Sequence, residues 1–282
     1  MRRIPSPTSR RIAAGLAIAA LSAVALAACG EEDDQELSFT LTSQGKESRI
    51  AGPSSAEAGV AEIALQNDAE REAELQLIRT EGGHTAQEVI DVLGGVVEGK
   101  PFPGWFFAGG GVAAIPGGES RTVTQVLEPG TYFAADLESD APPKPEGLLT
   151  LEVSGEDPGE DLPEADAEVS AFDYGFETEG LTAGANEIAF ENDGAQPHHL
   201  IASPLVGDST AKDVERFFKT EKGKPPLEEK GTQSTAVIEG GEGQTVTLDL
   251  EPGLYVLYCF ISDRQGGPPH VFKGMVDEVE VE

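Results

Sequence analysis

A self-match at a fixed offset constrains this chain more than any other feature. Ala58-Gly59-Val60-Ala61-Glu62-Ile63-Ala64-Leu65-Gln66-Asn67-Asp68 matches Ala183-Gly184-Ala185-Asn186-Glu187-Ile188-Ala189-Phe190-Glu191-Asn192-Asp193 at seven of eleven positions, 125 residues on. The offset holds without a gap through Thr85-Ala86 and Val89 against Thr210-Ala211 and Val214. Farther on, Glu128-Pro129-Gly130 and Tyr132 return as Glu251-Pro252-Gly253 and Tyr255. Whatever fold one copy takes, the other must take too, in a unit of about 115 residues, enough for one sandwich core.

Periodicity says which kind of core. Val246, Leu248 and Leu250 alternate with Thr245, Thr247 and Asp249, and Val279 and Val281 with Glu278, Glu280 and Glu282. A period of two marks half-buried strands. Short strands are also expected over 168–174, 187–191, 198–203 and 255–261, with Gly- and Pro-rich turns between them, the pattern of an antiparallel β-sandwich. One helix interrupts it at 210–219, with Asp208 or Ser209 as cap and Val214, Phe217 and Phe218 as core residues. The corresponding stretch 85–93 keeps Val89, Val92 and Leu93. The expected organisation is residues 37–154 for copy one, an acidic linker at 155–166, and 167–282 for copy two.

The first 28 residues carry four Arg and no acid, followed by an Ala- and Leu-rich run and Leu26-Ala27-Ala28-Cys29. This reads as a secretory signal. The apolar run of 17 residues falls short of the ~20 that span a bilayer. The tetrapeptide resembles the lipobox of bacterial lipoproteins, which implies cleavage before Cys29, lipidation of its thiol and anchoring on the outer face of the bacterial cell membrane or on the periplasmic side. Residues 29–36 would then be an acidic tether. The rest of the chain holds 15 basic against 51 acidic residues, a formal charge of −36. That disfavours nucleic acid and suits a basic protein partner or a salty habitat.

With Cys29 lipidated, Cys259 is the remaining thiol of an exported protein, and it has ligand-type neighbours. His270 and Met275 follow it, and His198 precedes it. A thiolate, two imidazoles and a weak thioether make the donor set of a blue-copper electron-transfer site. Phe190-x-Asn192-x5-His198 with Pro197 before the ligand, Tyr255 to Cys259, and His270-x4-Met275 together resemble the plastocyanin-like cupredoxins. The resemblance implies two tandem Greek-key β-sandwich domains, all-β, each with a short helical insertion. It also implies one type 1 copper in copy two, held by His198, Cys259, His270 and Met275, with Asn192 and His199 as supporting residues. His199 reads equally as a satisfied or exposed histidine. Ten residues separate Cys259 from His270, where plastocyanins and azurins have only a few.

Copy one serves as an internal control, since alignment puts Ala73, Asp136, Pro143 and Leu148 at the four ligand positions. Its histidine, His84, reads as a surface loop residue, and Trp105 with Phe102, Phe106 and Phe107 as packing under a loop or a docking patch. Four histidines in all, without a His-x-His pair, are too few for a multicopper oxidase. The function expected is therefore one-electron transfer to a redox protein partner, not enzymatic catalysis. Copper storage or delivery through the same ligands, and a metal-free surface module, are the alternatives.

Overall fold

The alternation of the repeated segment is realised in the same way in both copies. Ile63, Leu65 and Asn67 are buried in one, and Ile188, Phe190 and Asn192 in the other, while Glu62 and Glu187 point to solvent. The computed structural model describes residues 35–282 apart from 45, 46, 139–142, 157, 158, 160 and 161. The expected signal segment, Cys29 and most of the tether lie outside the described residues.

The first half consists of β1 (Gln35–Gln44), β2 (Glu47–Ala51), β3 (Ser55–Glu57), β4 (Gly59–Asn67), β5 (Ala73–Thr80), α1 (Ala86–Val97), β6 (Phe106–Ile115), β7 (Ser120–Leu127), β8 (Gly130–Ala135) and β9 (Leu149–Ser154). The second consists of β10 (Ala167–Phe172), β11 (Gly175–Glu179), β12 (Gly184–Asn192), β13 (Ile201–Pro204), α2 (Ala211–Thr220), β14 (Gln233–Ser234), β15 (Gly243–Leu250), β16 (Gly253–Tyr258) and β17 (Val276–Val281). Strands run β2-β1-β4-β7 in one layer and β3-β9-β8-β5-β6 in the other. The second half repeats this as β11-β10-β12-β15 and β14-β13-β16-β17. Both halves are thus β-sandwiches of one topology, with the helix inserted at the same place.

The sandwiches are mixed rather than purely antiparallel. β1 pairs β4 in parallel, β10 pairs β12 in parallel, and β3 adds a third parallel pair with β9. In the first half the chain leaves the β1–β2 hairpin, passes through the other layer as β3, and comes back along the far side of β1. A return by that route runs parallel to the strand it started from. The period of two is the same for both pairings and leaves direction open.

A second feature without a sequence signal is the junction. β15 pairs antiparallel with β7, Thr245 opposite Thr124 and Val246 opposite Val123, so that one layer of each sandwich joins into an eight-stranded sheet. The pairing removes two open sheet edges at once. One apolar cluster accordingly runs through both halves, from Phe39, Leu65 and Leu77 to Phe190, Leu248 and Tyr255. Each such fully buried side chain contributes about 1.5–3 kcal/mol relative to exposure.

The cap of α2 lies one or two residues later than expected. Thr210, rather than Asp208 or Ser209, caps α2, because Asp213 three residues on accepts from the Thr210 amide at 3.0 Å and its hydroxyl at 2.8 Å. Thr85 and Glu88 do the same for α1. Such a reciprocal pair satisfies amides that the helix itself leaves unbonded. Val214 is fully buried, whereas Phe217 and Phe218 are only half-buried. Phe218 packs on the Tyr258 and Phe260 rings, so it covers the core rather than fills it, and Phe217 lies against Phe218. His84 lies partly exposed in the loop before α1, as expected, and stacks on Trp105 at 3.6 Å between centroids. Trp105, Phe102 and Phe106 pack with α1 against a buried cluster around Ile78 and Val89.

Candidate metal centre

The four expected ligands reach the site by four different routes. Asn192, at the end of β12, donates to the Gln196 carbonyl at 2.9 Å and to the Ile238 carbonyl at 3.2 Å, and accepts the Gly194 amide at 3.0 Å. These bonds shape the loop that ends in His198. His198 exchanges both backbone bonds with Ile238, at 3.0 and 2.9 Å. It therefore behaves as a strand residue, although β13 proper begins at Ile201. Cys259 follows the last residue of β16, and its carbonyl accepts the Val271 amide at 2.8 Å. His270 opens a 3-10 turn, His270–Lys273, which closes at Gly274 with φ 98°. That left-handed step is open to glycine and strained for other residues. It turns the chain back so that the Met275 amide reaches the His270 carbonyl at 3.1 Å. The x4 spacing of His270 and Met275 is thus one turn and its cap.

His198, Cys259, His270 and Met275 are each 0% exposed. One donor atom from each of His198, Cys259 and His270 lies within 4.8 Å of the others. The His198 and His270 Nδ1 atoms are 3.0 Å apart, and Cys259 Sγ is 3.6 Å from His270 Nδ1. On the far side of each ring sits a carboxylate: Asp173 Oδ1 at 3.0 Å from His198 Nε2, and Asp263 Oδ1 at 3.1 Å from His270 Nε2. Burial lowers the affinity of both imidazoles for a second proton, His270 down to about 4, with His198 adding to the effect. Neutral rings whose Nε2–H is taken up by a carboxylate must present bare Nδ1 lone pairs. Two such lone pairs facing each other beside a thiol are mutually repulsive unless a cation accepts them. Burial also pushes the Cys259 thiol up to about 12, so a thiolate in this pocket needs a positive partner. The donor set fits a type 1 copper ion, and the nearby ammonium of Lys273 is taken up by Asp263.

Around the ligands, His199 accepts the Phe260 amide on Nε2 at 3.0 Å. Burial holds His199 neutral, with a pKa of about 3, which keeps that nitrogen an acceptor. Both supporting residues named from the sequence, Asn192 and His199, therefore brace ligand loops. Three further ones carried no signal there. Asp173 and Tyr174 occupy the turn between β10 and β11, and Asp263 lies within the long loop. Tyr174 donates to Asp263 at 3.0 Å, and its ring meets the His270 ring edge-on at 5.2 Å. Lys273 forms an ion pair with Asp263. Burial opposes ionisation of Asp263, but the bonds from Lys273 and Tyr174 outweigh it and its pKa falls. Loop residues 89 positions apart, such as Tyr174 and Asp263, cannot be matched by spacing alone.

In the first half, strand register identifies the corresponding positions. Gln76 pairs Ala135 as Ile201 pairs Tyr258, which sets Ala73 at the place of His198 and Asp136 at that of Cys259. Tyr132 pairs Leu151 as Tyr255 pairs Val279, which sets Gly147 opposite Met275. Leu148, the residue aligned there by sequence, is one position off because the loop before β9 has no counterpart of equal length. Asp136 is buried and pairs with the Arg71 guanidinium and the Ser48 hydroxyl. A salt bridge occupies the place of the thiolate.

No family model matches the sequence, and no curated protein matches it. Among solved structures, reduced auracyanin from Roseiflexus castenholzii is 21% identical, with 41% of this chain and 94% of that chain covered and a TM-score of 0.28. Auracyanin A, a blue copper protein from Chloroflexus aurantiacus, is 17% identical over 41% and 96%, with a TM-score of 0.25. A blue copper oxidase from Nitrosomonas europaea is 15% identical over 88% and 86%, with a TM-score of 0.24. Likeness at this level carries no functional argument, which rests on the side chains described above.

Proposed function

We propose that the second half is a one-electron carrier built on a type 1 copper centre with His198, Cys259 and His270 as its strong ligands and Met275 as the weak one. The observation that carries this is the pair of Nδ1 atoms and the Sγ converging in a fully buried pocket, with both Nε2 atoms already committed to carboxylates. Copper bound there supplies a Cu(II)/Cu(I) couple. The chain's own contribution is rigidity and dryness. Asp173 and Asp263 fix the two rings, Asn192 and His199 fix the loops that carry the ligands, and complete burial keeps water from the donors. Ligands that hold one geometry in both oxidation states minimise the rearrangement that slows electron transfer.

Burial also weighs against storage or delivery as the main role, because an acceptor must reach a donor atom to take the metal. The excess of negative charge supports a basic redox protein as partner. For localisation, the reading is an exported protein held at the membrane through lipid on Cys29. No helix among the described residues is long and apolar enough to cross a membrane.

Reconstitution of the purified protein with Cu(II) tests the reading. One copper per chain and an intense visible thiolate-to-copper band are expected, with the band abolished in Cys259→Ser. A colourless wild-type protein after reconstitution overturns it.

A further inference from the structure

The ten residues between Cys259 and His270 do not stand free over the metal pocket. Phe102 of the first half donates its amide to the Arg264 carbonyl at 2.8 Å, and Gly267 donates its amide to the Gly99 carbonyl at 3.1 Å. The Arg264 guanidinium reaches the Phe106 carbonyl at 2.8 Å and the Pro103 carbonyl at 3.3 Å, and its Cζ lies 5.2 Å from the centre of the Phe107 ring. Arg264 also turns back to its own half. Its amide donates to Gln196 Oε1 at 2.8 Å, two residues before His198, and its guanidinium pairs with Glu239 at 2.7 Å.

Glu239 belongs to a segment wedged between the halves. Its amide donates to the Ala108 carbonyl at 3.0 Å and its carboxylate accepts the Ala108 amide at 3.1 Å. On either side of Ile238, which pairs with His198, residues of this segment bond to the first half: Gly110 donates to the Val237 carbonyl and Val237 to Gln76 Oε1, both at 3.0 Å. Arg264 thus ties three parts together: its backbone amide holds the loop before His198, and its guanidinium fastens the loop between Cys259 and His270 to the first half and to Glu239. A planar fork with several fixed donors can do this, whereas an ammonium cannot.

We propose that the first half, which carries none of the four ligands, is a structural part of the metal centre, and that Arg264 is the positioning residue through which it holds the ligand loops. The inference rests on the type 1 reading for its consequence at the metal, but the holding itself is a property of the metal-free chain. It accounts for the length of the loop. A short loop is rigid by itself, and this one is rigid because a neighbouring sandwich supplies the walls.

Glycines give a test that separates docking from backbone strain. A Cβ on Gly266 (φ 79°) would come within 2.4 Å of the Gly99 oxygen, whereas one on Gly267 (φ 111°) would meet nothing within 4 Å. Full-length Arg264→Ala, Arg264→Lys, Gly266→Ala and, as control, Gly267→Ala are compared first without metal, by amide hydrogen exchange at Phe260, Arg264 and Gly266. Opening of a loop raises exchange there and leaves the rest of the fold protected. On the order of tenfold faster exchange is expected in Arg264→Ala and Gly266→Ala, with a smaller change in Arg264→Lys and Gly267→Ala. After reconstitution, copper should leave the first two variants roughly tenfold or more faster, with a shifted visible band. Exchange and copper release at wild-type rates in both overturn the inference. Should Arg264→Ala fail to fold, Gly266→Ala against Gly267→Ala still decides. If the wild type takes up no copper, the type 1 reading fails, and the exchange rates of the metal-free variants still decide whether the first half holds the loop.

Discussion

The two halves share a topology and even their internal braces, yet they bury different groups at one corresponding position. Asn67 bonds to the Arg71 and Ile115 carbonyls and accepts the Ala69 amide, just as Asn192 bonds to Gln196 and Ile238 and accepts Gly194. Tyr132 donates its hydroxyl to the Glu128 carbonyl and Tyr255 accepts the Glu251 amide, each closing the same corner four residues upstream. At the end of the next strand the halves diverge. The first buries a carboxylate, Asp136, against a guanidinium of its own, whereas the second buries a thiol beside two imidazoles. A sandwich of this kind tolerates an anion at that point where a cation is supplied, as Arg71 does for Asp136; on the copper reading proposed above, the metal would do so for Cys259.

The strongest way to break this comparison is to remove the internal cation. Arg71→Ala should cost about 3 kcal/mol or more in urea unfolding, because it leaves a buried carboxylate unpaired. Replacing both partners, as Arg71→Leu with Asp136→Leu, should recover most of that loss. If Arg71→Ala unfolds at the wild-type midpoint, charge balance is not what holds this site. Neither variant should alter the copper band.

The asparagines sharpen the contrast next. Asn67→Ala and Asn192→Ala each lose bonds in a buried turn and should each destabilise by roughly 2 kcal/mol. Only Asn192→Ala should also shift the visible band and speed copper release. Equal effects of both on the copper centre would erase the distinction between fold residue and ligand brace.

The capping threonines should behave alike in the two halves. Thr85→Ala and Thr210→Ala are expected to lower stability by about 1 kcal/mol each, read by thermal melting, with no change at the metal.

The smallest effect expected is a pH slope at the junction. Burial, with Glu128 second and Glu239 also repelling, raises the Glu242 carboxyl to about 7, against the attraction of Arg79. Its charged form is disfavoured in the fold. Stability should therefore decline as pH rises from the ordinary carboxylate range through about 7. Glu242→Gln should flatten that decline, giving a larger gain over wild type at pH 8 than at pH 5. A gain of the same size at both values would rule out the carboxylate as its cause.

Much of the fold is legible in the sequence because it depends on local pattern. The alternation around Val246 and Val279 and the repeat at 125 residues specify strands and their duplication, and Gly253-x-Tyr255 marks the corner before Cys259. The expected cap of α2 falls one or two residues early because Asp208, Ser209 and Thr210 are all good caps, and the choice lies with Asp213. Strand direction in β1–β4 and the β7–β15 junction have no local signal, since pairing partners are chosen by the path of the chain and by which edges would otherwise remain open.

For the site, residue type was enough to expect the side chains that converge, because few combinations can share one soft metal and Cys259, His270 and Met275 lie within one short stretch. What tertiary structure alone decided is the environment that makes those ligands a site: Asp173 and Asp263 behind the imidazoles, and Arg264 and the first half behind the long loop. Those contacts join residues up to 161 positions apart. Each is one choice among many for a carboxylate or a guanidinium in a chain so rich in charge, and nothing in the order of the residues makes one partner preferable until the backbone has brought them together.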